Sequence, residues 1–388
     1  MRVLVVHNDY GRYSGEEAAV DRFIIDRRAL GDTVETLRRT SKFARELPMS
    51  RAKAFVSGLY STEGVRMMKE ALQVFKPEVV NVHNLYPFIS PAALFQCRRQ
   101  GIPVVMTVHN YRLLCPTGLL LRDNKPCHEC LTKGHEWPCV HHNCEASRSR
   151  TTAYALRSMM ARITGTYTKC VDTFCCLTDF QRRLMLQAGI EEKRLVVIPN
   201  YIPDHTAAEP TTSTQPYVAY AGRLSKEKGY DMLMEAAQRL PHINFRFAGE
   251  SGMQQPTTQL PNVHMLGMMS EEAMRHFYAE AAFVVLPSRC YEGLPNVLLE
   301  AYQGGKAVIA PNHGAFPDLI QQDGQPCGRL FEAGNAQSLT QEIDYLFGHP
   351  DECLGMGCSA RKNYENHFTP QIVQNQWTAL LKATTKRL

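Results

Sequence analysis

Apolar residues along the chain come in short runs, at 3–7, 79–83, 104–109, 174–177 and 195–198, separated by stretches where they recur at helical spacing. Strands alternating with helices in this way predict a parallel α/β sheet. A second series of runs follows at 217–221, 244–248, 263–266, 282–286 and 307–311. Residues 201–216 between the two series are rich in Pro, Thr, Ser and Ala and carry neither periodicity, which marks a linker. The pattern predicts an α/β protein of two domains: 1–203, holding an insertion at 115–147 that the sheet does not require, and 217–369, with a helical segment over 370–388.

Ligands of parallel sheets sit beyond the carboxyl ends of the strands. In the first domain those ends read His7-Asn8, His83-Asn84, His109-Asn110, Thr178 and Asn200, and three His-Asn ends exceed what packing alone predicts. The first turn, Gly11-Arg12-Tyr13-Ser14-Gly15, lacks the Gly-x-Gly-x-x-Gly of a dinucleotide site. In the second domain the run 282–286 leads into Pro287-Ser288-Arg289-Cys290-Tyr291-Glu292-Gly293-Leu294-Pro295. Pro295 suits a first helical turn, so a helix is expected from about Leu294. Its leading amides, on Asn296, Val297 and Leu298, then form a seat for an anion. Glu292 and Glu300 flank that seat, and carboxylates accept hydrogen bonds from hydroxyls. A ligand with a charged middle and polyol ends matches this: Glu300 on ribose, the amides on a diphosphate, Glu292 on a sugar. Two solvated glutamates on a strand–turn–helix are the plainer alternative. Upstream, Arg223 offers a planar fork and Lys228 a point charge, both suited to a diphosphate.

Composition narrows the class. With 388 residues, 44% hydrophobic and 21% charged, the chain is globular rather than fibrous or disordered. No apolar run approaches the roughly 20 residues that span a bilayer, and the chain opens on a strand rather than a signal peptide, so a cytoplasmic location is the default expectation. The net charge of +5 is uneven: residues 1–200 carry +10 and residues 201–388 carry −5. A basic first half suits nucleic acid, anionic lipid headgroups or a diphosphate-bearing acceptor, and nucleic acid is set aside because no binding motif accompanies the charge. Residues 147–168 hold Arg148, Arg150, Arg157 and Arg162 without an acid. A basic helix lying on an anionic membrane and a helix packed on the sheet both look like this. Within the insertion, Cys127, Cys130, Cys139 and Cys144 present Cys-x2-Cys and Cys-x4-Cys pairs, a pattern that suits structural zinc. A redox pair and unliganded thiols remain open, and His128, His135, His141 and His142 are rival ligands.

The stretch from Leu286-Pro287-Ser288 through Glu292-Gly293-Leu294-Pro295 to Gln303-Gly304-Gly305 resembles the Glu-x7-Glu motif of the retaining family 4 glycosyltransferases. Gly222-Arg223-Leu224-Ser225-Lys226-Glu227-Lys228-Gly229 resembles that family's diphosphate segment, and His109-Asn110-Tyr111-Arg112 its segment bordering the sugar site. The resemblance implies the GT-B fold, two Rossmann-like domains facing across a cleft with the last helix crossing back to the first. It implies a UDP- or GDP-sugar donor and a glycan or polyprenyl-linked acceptor, with transfer that retains anomeric configuration, in cell-surface polysaccharide synthesis at the inner face of the plasma membrane. It assigns catalysis to His109, Glu292, Arg223 and Lys228, and donor binding also to Gly15, Gly222, Gly293, Asn296, Val297, Leu298 and Glu300, with no catalytic metal. Where the family has two adjacent glycines, this chain has Ser14-Gly15, and Ser251 precedes Gly252 where the family has Ala-Gly-x-Gly. An epimerase of the same fold and a non-catalytic scaffold are the rival readings.

Overall fold

The computed structural model describes residues 1–10, 14–41, 48–204, 215–250 and 260–386, with no side-chain description at 48–53. Residues 11–13 of the first turn, most of the linker, and Ser251 and Gly252 lie outside the described residues. The chain forms two compact units: residues 1–120, 128–200 and 373–388 make the first, and 121–127 and 201–372 the second.

The first unit is a six-stranded parallel sheet of β1 (Arg2–Asp9), β2 (Thr33–Thr40), β3 (Val79–Asn84), β4 (Val104–Val108), β5 (Thr173–Cys176) and β6 (Leu195–Val197). Their order across the sheet is β2-β1-β3-β4-β5-β6. Val3, Val5 and Val6 in β1 and Val79, Val80 and Val82 in β3 are fully buried, because helices cover both faces of the central strands. Those strands read as continuous apolar runs for the same reason. β2 escapes that signal: it is an edge strand in which only Val34 and Leu37 are buried. The order reverses between β1 and β3, so His7 and His83 end the two strands at the switch point, where ligand sites of such sheets are found.

The second unit repeats the plan with β7 (Tyr217–Ala221), β8 (Asn244–Ala248), β9 (Val263–Gly267), β10 (Ala281–Val285), β11 (Val308–Pro311) and β12 (Gly328–Phe331), in the order β9-β8-β7-β10-β11-β12. This is the Rossmann order, with its switch point between β7 and β10. Asn262 shows how a polar residue is kept inside: its amide donates to the carbonyls of Ala237, Leu240 and Ile243, closing the end of helix Tyr230–Arg239 against the start of β9.

Helix Arg148–Thr164 packs through Thr151, Ala155, Arg157 and Ala161. Arg157 is buried between the rings of Tyr86 and Tyr154, 4.2 and 4.3 Å from their centroids, and donates to the Pro116 carbonyl. Arg162 pairs with Glu136 and Arg150 with Glu145. Three of the four arginines therefore have partners in the protein itself. The final helix, Pro370–Thr385, joins the first unit from Val373 onward. There Trp377 meets Phe23 edge-on with ring centroids 5.0 Å apart, and the buried Arg27 donates to Thr378 at 2.6 Å while pairing with Asp32. Among the described residues no helix is long and apolar enough to cross a membrane.

One glycine fixes the second unit's switch point. Gly229 has φ of +72°, and a Cβ there would lie 1.8 Å from the Pro287 carbonyl oxygen. Gly334 has a similar φ of +78° with nothing within 4 Å of a built Cβ. Gly334→Ala should cost about 1 kcal/mol, the left-handed penalty alone, and Gly229→Ala at least about 2–3 kcal/mol, because backbone must also move. Denaturant melts of the two variants measure the difference.

Candidate functional site

In the second unit, the turn after β7 is stitched to the loop after β10. The amide of Arg289 donates to the Glu227 carbonyl at 2.9 Å, and the Arg289 guanidinium reaches the Lys226 carbonyl at 2.8 Å and Asp231 at 2.5 Å. Gly229 permits this close approach. Its consequence is that Lys228 and Glu292, 64 residues apart, face each other with Nζ 2.7 Å from Oε1. The same Glu292 oxygen accepts from Ser288 Oγ at 2.7 Å. Burial alone would raise the Glu292 carboxyl, but the Lys228 ammonium, hydrogen bonds from Lys228 and Ser288, and Arg223 hold it below the usual 4.5. Burial alone would likewise lower Lys228, and Glu292 holds it above its ordinary value. Both groups are thus fully ionised at neutral pH.

Arg223 is two-thirds exposed, with Glu227 3.5 Å away, and its carbonyl accepts from Tyr220. Gly222, with φ of +141°, starts this turn, and its amide donates to the Ala248 carbonyl. Helix Asn296–Gln303 begins two residues later than the sequence suggests, with Pro295 as its N-cap. The Leu298 amide donates to the Pro295 carbonyl at 3.0 Å, so it is no part of an anion seat; the capping carbonyl has taken it. Asn296, Val297 and Gly293 stand at that end of the helix. Glu300 accepts from Tyr278 Oη at 2.6 Å. Sequence reasoning missed Arg289, whose clamp on Asp231 and Lys226 shapes the loop, and His313, whose Nε2 lies 2.9 Å from the Ser288 carbonyl. An arginine between Ser288 and Cys290 was the only trace of the first.

In the first unit, His109 Nε2 lies 2.8 Å from His83 Nδ1 and the two rings stack with centroids 5.1 Å apart. Burial lowers His109 to about 4 and lowers His83 well below 6.5. The two rings therefore share one proton as neutral imidazoles at neutral pH. Beyond them Tyr10 donates to Glu16 at 2.7 Å, and Arg112 lies 3.2 Å from the same phenol oxygen. Burial raises Glu16 to about 7, against the opposing pull of Arg112, Tyr10 and Asn110. The asparagines after the histidines turn out to hold backbone: Asn8 accepts from the Phe88 amide, and Asn84 donates to the Asn8 carbonyl and accepts from the Tyr86 amide. Gly15 opens helix Gly15–Ala29, whose N-cap is Ser14.

The insertion brings Cys139 against Cys144, and the hydrogen bond between them, with burial and the neighbouring Cys115 and Cys130, drives the Cys139 thiol far up. No three sulfurs among Cys127, Cys130, Cys139 and Cys144 lie mutually within 4.8 Å. No cysteine is disulfide-bonded among the described residues.

The Lys228–Glu292 pair carries a pH signature. An unfolded glutamate binds its proton near 4.5 and the folded one lower, so the pair's contribution is full above about 4.5 and is lost as pH falls through the folded value. Glu292→Gln should lower stability at pH 7 by about 1–3 kcal/mol, several degrees of melting temperature, and the gap to wild type should close as pH falls below 4.5 through the folded value. Thermal melts across that range measure it.

Residues 28–205 match the family described as Glycosyltransferase Family 4, and residues 202–363 the family described as Glycosyl transferases group 1. A sulfoquinovosyl transferase of Arabidopsis thaliana is 27% identical over 43% of this chain, a match that spans only 34% of that protein. An uncharacterised 42.6 kDa protein in the cps region of Klebsiella pneumoniae is 23% identical over 70% of this chain and 67% of its own. Among solved structures, that of HepE from Anabaena, in complex with UDP and glucose, superposes with a TM-score of 0.67 at 16% identity, covering 99% of this chain and 100% of that one. Two Rossmann-like units, matched together from residue 28 to residue 363 by the two halves of this family, establish that the chain belongs to the GT-B glycosyltransferases of family 4 and group 1.

Proposed function

We propose that the protein transfers a sugar from a UDP- or GDP-sugar to a hydroxyl of a glycan or lipid-linked oligosaccharide, with retention of anomeric configuration, in the building of a cell-surface polysaccharide. The Lys228–Glu292 pair at the second unit's switch point carries this reading. In it Lys228 and Arg223 take the donor diphosphate together with the Val297 amide, Glu292 takes sugar hydroxyls, and Glu300 takes the ribose. As the glycosidic bond breaks, the leaving diphosphate gains negative charge. A lysine already held charged and aimed by a buried glutamate stabilises that charge without reorganising, so it favours the transition state over the ground state. His109, neutral at working pH, accepts or donates a hydrogen bond on the first unit's side. The Anabaena neighbour solved with UDP supports a uridine donor, and the Klebsiella relative's cps location supports the polysaccharide assignment.

Lys228→Ala should lower kcat/KM by about 100-fold or more, the usual scale for one aligned charge stabiliser, and near wild-type transfer by this variant would remove the assignment. UDP at 100 times its Kd should stabilise the folded protein by about 2.7 kcal/mol, read as a rise in melting temperature. Consumption of donor without an added acceptor would favour the epimerase reading instead, and the product's anomeric proton coupling tests retention.

A further inference from the structure

His7 and Asp9 alternate along β1 and so project to the same side of its carboxyl end. Glu17 stands in the first turn of helix Gly15–Ala29, which follows. One ligand-capable atom from each of the three lies within 4.8 Å of the other two. His7 is fully buried, yet neither ring nitrogen has a hydrogen-bond partner: Nε2 is 3.4 Å from Asp9 and Nδ1 3.9 Å from Glu16. Glu17 is 4% exposed. One of its oxygens accepts from the Tyr10 amide at 3.1 Å while the other, Oε2, is buried without a partner. Glu16 Oε1 beside them is in the same condition. Orphaned buried polar atoms are costly, and here a ring nitrogen and carboxylate oxygens, all acceptors of positive charge, converge on one spot.

We propose that His7, Asp9 and Glu17 form a binding site for a divalent first-row transition cation, with one imidazole and two carboxylate ligands. A mixed nitrogen and oxygen set suits zinc, manganese or iron rather than calcium, and three protein ligands leave positions for water. Donors sharing an ion at about 2.1 Å stand roughly 3 to 3.5 Å apart, so side-chain adjustments of about an ångström close the site. Arg38, 3.0 Å from Asp9 and 2.5 Å from Asp21, is the competing cation. The site ties the end of β1 to the start of the first helix, and the residues proposed for the diphosphate belong to the other unit.

The test uses the full chain stripped with a chelator and titrated with Mn²⁺, free ion being read by electron paramagnetic resonance. One Mn²⁺ per chain is expected, with affinity lowered at least about tenfold in Glu17→Gln and in Asp9→Asn. Arg38→Gln is expected to tighten binding by freeing Asp9, while Cys130→Ser and Cys139→Ser are expected to leave it unchanged. The Co²⁺-loaded protein should lack a thiolate charge-transfer band assignable to this ion. Asp9 is partly exposed, so Asp9→Asn keeps the test intact if Glu17→Gln fails to fold. Absence of Mn²⁺ binding, binding indifferent to both carboxylate variants, or binding lost only in the cysteine variants would overturn the proposal.

Discussion

The second unit is built to bring one lysine against one glutamate. Taking two charges out of water costs several kcal/mol unless they meet in good geometry, with their remaining hydrogen-bonding capacity satisfied. Lys228 and Glu292 meet at 2.7 Å, with Ser288 on the same oxygen. That placement demands the close approach of the 226–229 turn to the Pro287 carbonyl, which in turn demands a residue without Cβ at Gly229. Arg289 then fastens the two loops through Lys226 and Asp231. The pair, the glycine and the arginine form one device, and a replacement at any of them disturbs the other two.

Much of the architecture was legible because central parallel strands are buried on both faces and so announce themselves as unbroken apolar runs. β1, β3 and β4 were readable for that reason. β2 was not: with Val34 and Leu37 as its only buried residues, its Thr, Glu and Arg positions form no apolar run. Nor was β12, since a four-residue edge strand carries too little pattern. The helix after Glu292 was placed two residues early, because proline serves at the N-cap here rather than in the first turn, and that shift removes Leu298 from the anion seat.

At the candidate sites, residue types were easier to read than their pairings. Glu292, Lys228 and Arg223 stood out in motifs, but nothing along the chain shows that two of them are bonded partners rather than separate ligand contacts. The His-Asn strand ends invited a functional reading. In the fold the histidines cluster, whereas Asn8 and Asn84 satisfy main-chain groups around the switch point, which is what buried backbone requires. His7 was marked only by its His-Asn strand end and Glu17 by no motif; their orphaned atoms become visible only when strand and helix are seen side by side.

The last helix has a different kind of consequence. Arg27 is buried in the first unit with its guanidinium against Thr378, and Phe23 rests on Trp377. A ribosome releases these partners more than 340 residues apart. The first unit's outer layer therefore stays incomplete through most of translation, its cationic residue and aromatic ring waiting for the segment from Val373, while the second unit is emitted uninterrupted except for residues 121–127. Order of birth and order of completion are inverted: the half that begins first finishes last.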